Sequence, residues 1–374
     1  MESNPHIKMW TPATIVMVVL IVLGGLVAGY RMLFGLGAAT NMNDGYPWGF
    51  WLGLDVLGGV AMAAGGFIIA CAVYLFNWKK YYPIVRPAIL TAFLGYLMAV
   101  AAIFLDIGHP FRLPHPMVMW QYHSVMWVVA MHVIFYTTTL ALEFSPMLLE
   151  RLGWHKALRM VNKVMVGAVI FGVMLSTLHQ SSLGAVFLIS PSKMSPLWWD
   201  TKMPFHFLVS AVAMGLSMVS FETMLSYKFL KHKVDNEILY GLARGCLIVL
   251  SFYLLLKLYQ LFTVSGISLA FDGSLEGNMY LLEMVIGVIL PIGLLSFKKN
   301  RTNLRTIFSV NIIVIVGVLL NRMNVCVFSM ENFNTWRGSA YFPSWMEFMI
   351  SLGIIALGVF LYKMSAKHLP LFSH

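Results

Sequence analysis

Tyr46-Pro47-Trp48-Gly49-Phe50-Trp51 opens a stretch that continues through Asp55, Gly58, Gly59, Ala61, Ala63, Ala64, Gly65 and Gly66, with Asp55 its one charged side chain before Lys79. About 20 mostly apolar residues suffice to cross a bilayer as a helix, and residues 51–76 meet that length. The glycines and alanines let helix backbones approach closely in lipid, so this helix is expected at the centre of a bundle. Trp48 and Trp51 fit the aromatic belt of a membrane interface. Asp55 lies one turn inside the outer end. A charge at membrane depth costs roughly 2.5–3.5 kcal/mol or more, which makes such a residue a functional candidate.

The same pattern recurs along the chain. Apolar spans are predicted at 12–36, 51–76, 85–106, 124–144, 161–189, 205–227, 240–263, 279–297, 304–324 and 344–363. The 374 residues are 59% apolar and 11% charged, with mean hydropathy +0.80, whereas a soluble domain carries about 25% charged residues. A soluble globular fold is excluded. The fold class is an all-α membrane protein of about ten transmembrane helices in one integral membrane domain, 1–374. The apolar run 15–36 exceeds the roughly 7–15 residues of a secretory h-region and is expected to stay as a helix.

The net charge of +10 does not call for nucleic acid, because of where the charge lies. Lys8, Lys79, Lys80, Arg86, Arg151, Lys156, Arg159, Lys163, Lys228, Lys231, Lys233, Arg244, Lys298, Lys299, Arg301, Arg305, Lys363 and Lys367 fall in alternate loops and at the termini, 18 of the 25 basic residues. By the positive-inside rule, both termini are cytoplasmic. The expected location is the bacterial inner membrane. Cys71, Cys246 and Cys326 have no CxxC spacing, so the sequence offers no iron–sulfur ligand set, no c-type haem attachment and no metal site; they read as small apolar residues.

Counting depth from the loops gathers the polar residues at the outer side: Asp55, Asp106, His109, His123, His179, Gln180, His206, Lys257, Gln260, Glu283, Asn321, Arg322, Asn324 and Glu347. Asp106 and His109 are three apart and are expected to share a helix face. His179 and Gln180 are read as ending the fifth helix, with Gly172 and Ser176 leaving room for a flat ligand. Glu283, Glu347 and His206 read as helix-end residues snorkelling to headgroups. Tyr253, Lys257 and Gln260 form one stripe in the seventh helix. In the fourth, His132, Tyr136, Thr139 and Glu143 share a face; interhelical hydrogen bonding is the plainer reading and a proton path the other. His132 is expected to have no second histidine at its depth, and most helices are expected to be unbroken.

The Trp48-to-Gly66 stretch, Asp106-Ile107-Gly108-His109-Pro110, Thr177-to-Gly184 and Leu320-Asn321-Arg322-Met323-Asn324 together resemble the NrfD/PsrC family of quinone-interacting membrane subunits, most of all its HybB-type branch. The resemblance implies two four-helix bundles, about 51–189 and 205–324, flanked by helices 12–36 and 344–363. It implies a site for menaquinone or ubiquinone in the first bundle near the outer face. It also implies electron exchange with a four-cluster ferredoxin-like iron–sulfur subunit outside, joined to a hydrogenase, a molybdopterin enzyme or a multihaem cytochrome c. No haem or iron–sulfur cluster is implied in this chain, and other membrane subunits can accompany it.

Quinone chemistry moves two electrons and two protons, so a chain without metal-ligand motifs needs a redox partner, a cavity and proton donors. His109, His179, Asp55, Trp48 and Gln180 are the candidates for quinone binding. Asp106, Asp55, His132, Tyr136 and Glu143 are the candidates for proton transfer. Lys257, Gln260, Arg322 and Asn324 form a second-bundle polar set. The outer loops 107–123, 190–204, 264–278 and 325–343 are expected to dock the iron–sulfur subunit. Three rivals stand beside this reading. A dihaem b-type cytochrome would use axial histidines. A secondary transporter would place its site near the midplane at broken helices. An assembly scaffold would need no buried Asp or His.

Overall fold

The computed structural model describes residues 7–230 and 235–372, which are helical without a named strand; Lys231 and Lys233 lie outside them. Among the described residues, ten helices are long and apolar enough to cross a membrane: α1 (Pro12–Phe34), α2 (Leu52–Leu75), α3 (Lys79–Asp106), α4 (Val125–Leu152), α5 (His155–Ile189), α6 (Met203–Leu230), α7 (Asn236–Ser265), α8 (Leu275–Ser296), α9 (Leu304–Trp336) and α10 (Trp345–His368). The protein is a multi-pass integral membrane protein. Several helices run past their apolar stretch. α4 reaches Leu152 rather than 144, α5 starts at His155 rather than 161, and α9 continues to Trp336 rather than 324. A helix satisfies its own backbone hydrogen bonds, so it need not stop where the hydrocarbon does. Gly153, at φ 70°, makes the break between α4 and α5.

α2 and α6 form the centre, with 78% and 67% of their most apolar 18 residues buried against 11% for α1. The central place expected for α2 follows from its small residues. At Gly65 a Cβ would lie 2.9 Å from the Gly215 carbonyl oxygen of α6, so the two backbones touch where a side chain would part them. α2 also packs on α3, α5 and α9, α3 on α4, and α4 on α5; α6 packs on α7 and α9, and α8 on both of those. α1 lies against α10, which in turn packs on α3. Lys363 of α10 donates to the Met9 carbonyl at 3.1 Å and to Thr14 Oγ1 at 2.6 Å, across 349 residues of sequence. The start of α1 and the end of α10 therefore share one face, the face of the basic loops.

Helix interiors depart from the expectation of unbroken α-helix. π-helical turns occupy Leu52–Gly58 and Cys71–Leu75 in α2, Leu261–Ser265 in α7 and Met284–Ile289 in α8. Asp55 sits inside one, and Gln260 and Glu283 immediately precede two others. Such turns keep the chain helical while shifting side-chain direction, and they are frequent at functional sites.

Candidate functional site

α5 carries His179 fully buried, ten residues before the helix finally ends at Ile189. At 1.5 Å per residue that is about 15 Å inside, which corrects the expectation that His179 and Gln180 close the helix. Their apolar surroundings continue past them because Leu183, Val186 and Phe187 are buried too. The His179 ring lies 5.6 Å from Tyr96 of α3 and 6.2 Å from His132 of α4. His132 thus has a histidine at its own depth after all. Tyr96 meets Tyr136 edge-on at 4.6 Å, and Ser176 sits beside both phenols.

These groups are buried, yet both His179 ring nitrogens and Gln180 Oε1 make no hydrogen bond within the protein, and Tyr96 OH and Tyr136 OH have no partner beyond the Ser176 hydroxyl beside them. A buried polar group left unpaired costs about 1–3 kcal/mol, so native structures keep few. Several around one ring are what a small-molecule site needs: convergent donors and acceptors in apolar walls. Gln180 Nε2 is engaged, donating to the Val60 carbonyl at 2.9 Å, and His132 Nδ1 lies 3.2 Å from Ser182 Oγ. Trp48 is half-buried, edge-on to Phe187 at 4.7 Å. Two turns beyond Tyr136 toward the basic face, Glu143 is buried against Gly172, where a Cβ would come within 2.7 Å of its Oε1. The stripe His132, Tyr136, Thr139, Glu143 therefore runs from the His179 cluster toward the basic face.

The structure does not bring the remaining first-bundle candidates into this cluster. Asp55 is buried but accepts a hydrogen bond from Ser351 of α10. α3 ends at Asp106 and Ile107 turns extended, so the shared face expected for Asp106 and His109 is never formed. His109 stands exposed on the following loop. Asp106 is instead near Arg31, which is buried at the end of α1 and donates to the carbonyls of Leu105 at 2.7 Å and Ile107 at 2.5 Å. Arg31 went unnoticed in the sequence, although a lone arginine near the end of an apolar span is itself a signal.

The second-bundle set is gathered. Lys257 Nζ lies 3.2 Å from Glu283 Oε1 with both side chains buried. Glu283 also accepts from Asn321 at 2.8 Å, Asn324 at 2.8 Å and Trp198 Nε1 at 2.7 Å. Arg322 donates to Asn321 Oδ1 at 2.7 Å and Ser210 Oγ at 2.9 Å, with its guanidinium 3.9 Å from the Phe207 ring centroid. The adjoining cavity, about 10 Å³ between Tyr253, Glu283 and Asn321, is water-sized. Gln260 is held apart, donating to the Pro196 carbonyl at 3.3 Å.

The expected snorkelling of Glu283, Glu347 and His206 is also corrected, since all three are buried in protein. Glu347 closes a capping box with Ser344 and accepts from Tyr341 at 2.5 Å. Burial, then the Glu347 carboxylate, pushes the Tyr341 phenol above its usual value. Burial, then Glu331, does the same to Tyr46, which donates to Glu331 at 2.5 Å. Both phenols stay protonated and act as donors that tie the outer loops to helix ends.

Comparison with known proteins gives this architecture a family. A protein of Nitratidesulfovibrio vulgaris (strain Hildenborough) is 38% identical, covering 100% of this chain and 98% of its own. The probable Ni/Fe-hydrogenase 2 b-type cytochrome subunit of Escherichia coli (strain K12) is 34% identical over 94% of this chain and 90% of its own. The menaquinone reductase integral membrane subunit of Nitratidesulfovibrio vulgaris is 28% identical over 93% and 88%. The family model described as polysulphide reductase, NrfD, matches residues 38–331, and the chain belongs to that family.

Proposed function

We propose that this chain is the membrane-anchoring and quinone-handling subunit of a respiratory redox complex, and that the quinone headgroup is held at His179. The observation that carries this reading is the buried His179 ring and Gln180 Oε1, which are unpaired, beside the Tyr96, Tyr136 and Ser176 hydroxyls, which have no partner outside their own group. A quinone has two carbonyl oxygens to accept hydrogen bonds and a flat apolar ring to lie among aromatic side chains. His179 and one of the tyrosines would supply the donors. The column through Tyr136 to Glu143 would move protons between the site and the basic face. The names of two relatives, a menaquinone reductase membrane subunit and a Hdr-like menaquinol oxidoreductase membrane subunit, fit the same chemistry.

Electrons would come from, or go to, a partner on the face opposite the basic loops, in the expected form of a four-cluster iron–sulfur subunit. The loop after α3 supports this, exposing Phe111, Val118, Met119, Trp120 and Tyr122 beside His109; apolar surface of this kind outside a membrane span marks an interaction site. His109 then belongs to the docking surface rather than to the quinone pocket. By the positive-inside rule, the basic face is cytoplasmic and the complex lies in the inner membrane.

One pair of residues bears on a haem reading. His132 and His179 face each other at 6.2 Å, as two axial ligands would. Yet they stand on α4 and α5, which pack closely together, and a porphyrin would have to part them.

The test is turnover of a menaquinone or ubiquinone analogue per mole of purified complex, with a reduced-minus-oxidised absorption spectrum of the same sample. His179→Ala is expected to lower turnover about 10²–10⁴-fold, the range for losing a positioned acid–base group, and Tyr136→Phe to lower it less. Wild-type turnover in both variants would overturn the site. A haem band lost in His179→Ala would replace quinone binding with haem ligation there.

A further inference from the structure

On the basic face, a cleft between the first turns of α7 and the loop joining α8 to α9 holds a cavity of about 230 Å³ lined by Tyr240, Arg244, Lys298, Arg301 and Thr302. Three of these five side chains are cationic and none is acidic. The acids of this end of α7, Asp235 and Glu237, are at its first turn, where Asp235 is occupied in accepting from the Glu237 N–H. Among the described residues, no ion pair is recorded for Arg244, Lys298 or Arg301, and Arg301 Nε is buried without a hydrogen-bond partner. Like charges converging on one cavity repel unless an anion joins them.

Farther along the same two helices, apolar side chains are bare. Arg244 is followed on α7 by Ile248, Phe252 and Leu255, which are spaced to lie on one helix face and are all exposed; Ile289, Leu290 and Phe297 are exposed along α8. A phosphate pocket on helices that are bare and apolar farther along matches one class of molecule, an anionic phospholipid. Basic pockets between transmembrane helices on the cytoplasmic side are known to take such headgroups.

We propose that this cleft is a binding site for an anionic phospholipid, with the headgroup phosphate among Arg244, Lys298 and Arg301 and an acyl chain along the Ile248, Phe252 and Leu255 face. Its failure would leave the quinone reading untouched, because no residue is shared.

The purified complex, delipidated in detergent, is titrated with phosphatidylglycerol, cardiolipin, phosphatidylcholine or inorganic phosphate, and bound lipid is read by native mass spectrometry. Anionic lipid is expected to bind and phosphatidylcholine and phosphate not to. A surface cation contributes about 1 kcal/mol to such binding, or about fivefold. Arg244→Gln with Arg301→Gln should therefore weaken affinity about 25-fold, and the neighbouring Lys299→Gln, whose side chain does not line the cavity, should leave it unchanged. Should the double variant fail to assemble, Arg244→Gln alone, at an exposed position, should show the fivefold loss. Unchanged binding in the arginine variants, an equal loss in Lys299→Gln, or binding of inorganic phosphate as tight as that of lipid would each overturn the proposal.

Discussion

Two regions of the molecule, around Glu283 and around His179, each bury a polar group, and the groups are wired differently. Around Glu283, Lys257, Asn321, Asn324 and Trp198 all bond one carboxylate, and Arg322 extends the network through Asn321 and Ser210. Around His179, neutral rings and hydroxyls lie close together, with both ring nitrogens and Gln180 Oε1 unused. His206 shares this trait, 6.1 Å from Tyr253. A bonded network holds one arrangement of helices, although Arg322 Nε and Asn324 Oδ1 are left over in this one; unused donors and acceptors are what a ligand can exploit. Buried charge alone therefore does not mark a binding site, and the pairing of each atom discriminates better.

The largest effect should come from cutting the paired network. Glu283→Ala leaves Lys257 buried without its partner, a loss of about 3–5 kcal/mol. The amount of assembled complex in the membrane should collapse, while Lys257→Met with Glu283→Leu, which removes both charges, should recover much of it. Normal yield of Glu283→Ala would erase the contrast between the two regions. His179→Ala should behave in the opposite way, with wild-type yield and a loss confined to the roughly 10²–10⁴-fold fall in turnover. A matching fall in yield would make His179 structural as well.

Gly172→Ala tests the column between the cluster and the basic face. It places a methyl against Glu143 and Thr139, and overpacking of this kind costs roughly 1–3 kcal/mol. The expected outcome is a lower melting temperature with turnover reduced less than by His179→Ala. The smallest effect belongs to Ser351→Ala, which removes the donor to Asp55. Interhelical hydrogen bonds in membranes average about 0.6 kcal/mol, so the variant should assemble and turn over nearly as the wild type. A turnover loss as large as that of His179→Ala would return Asp55 to the catalytic group.

Span number, the central place of α2 and the shared location of Lys257, Arg322 and Asn324 were legible because hydropathy, small-residue content and helical spacing act within a single helix. The depth of His179 was not legible because its polar neighbourhood, Thr177 to Ser182, reads as a helix end even inside a span expected to reach 189, and the helix does run on to Ile189. Glu283 and Glu347 were misread because snorkelling and burial differ only in which helix faces the side chain. Arg31 escaped for a related reason. Its helix is lipid-exposed along most of its length, and only packing shows that its last turn meets the end of α3.

The bond from Lys363 to Thr14 joins positions 349 residues apart, and it has a meaning for biosynthesis. At about 5–20 residues per second, α1 is made on the order of 20–70 s before the helix that covers it. During that interval α1 can pack only at its far end, where Arg31 bonds the Leu105 and Ile107 carbonyls of α3, and its largely apolar circumference suits the rest of it to lipid. A chain that stops short of α10 would therefore leave most of α1 without the helix that covers it.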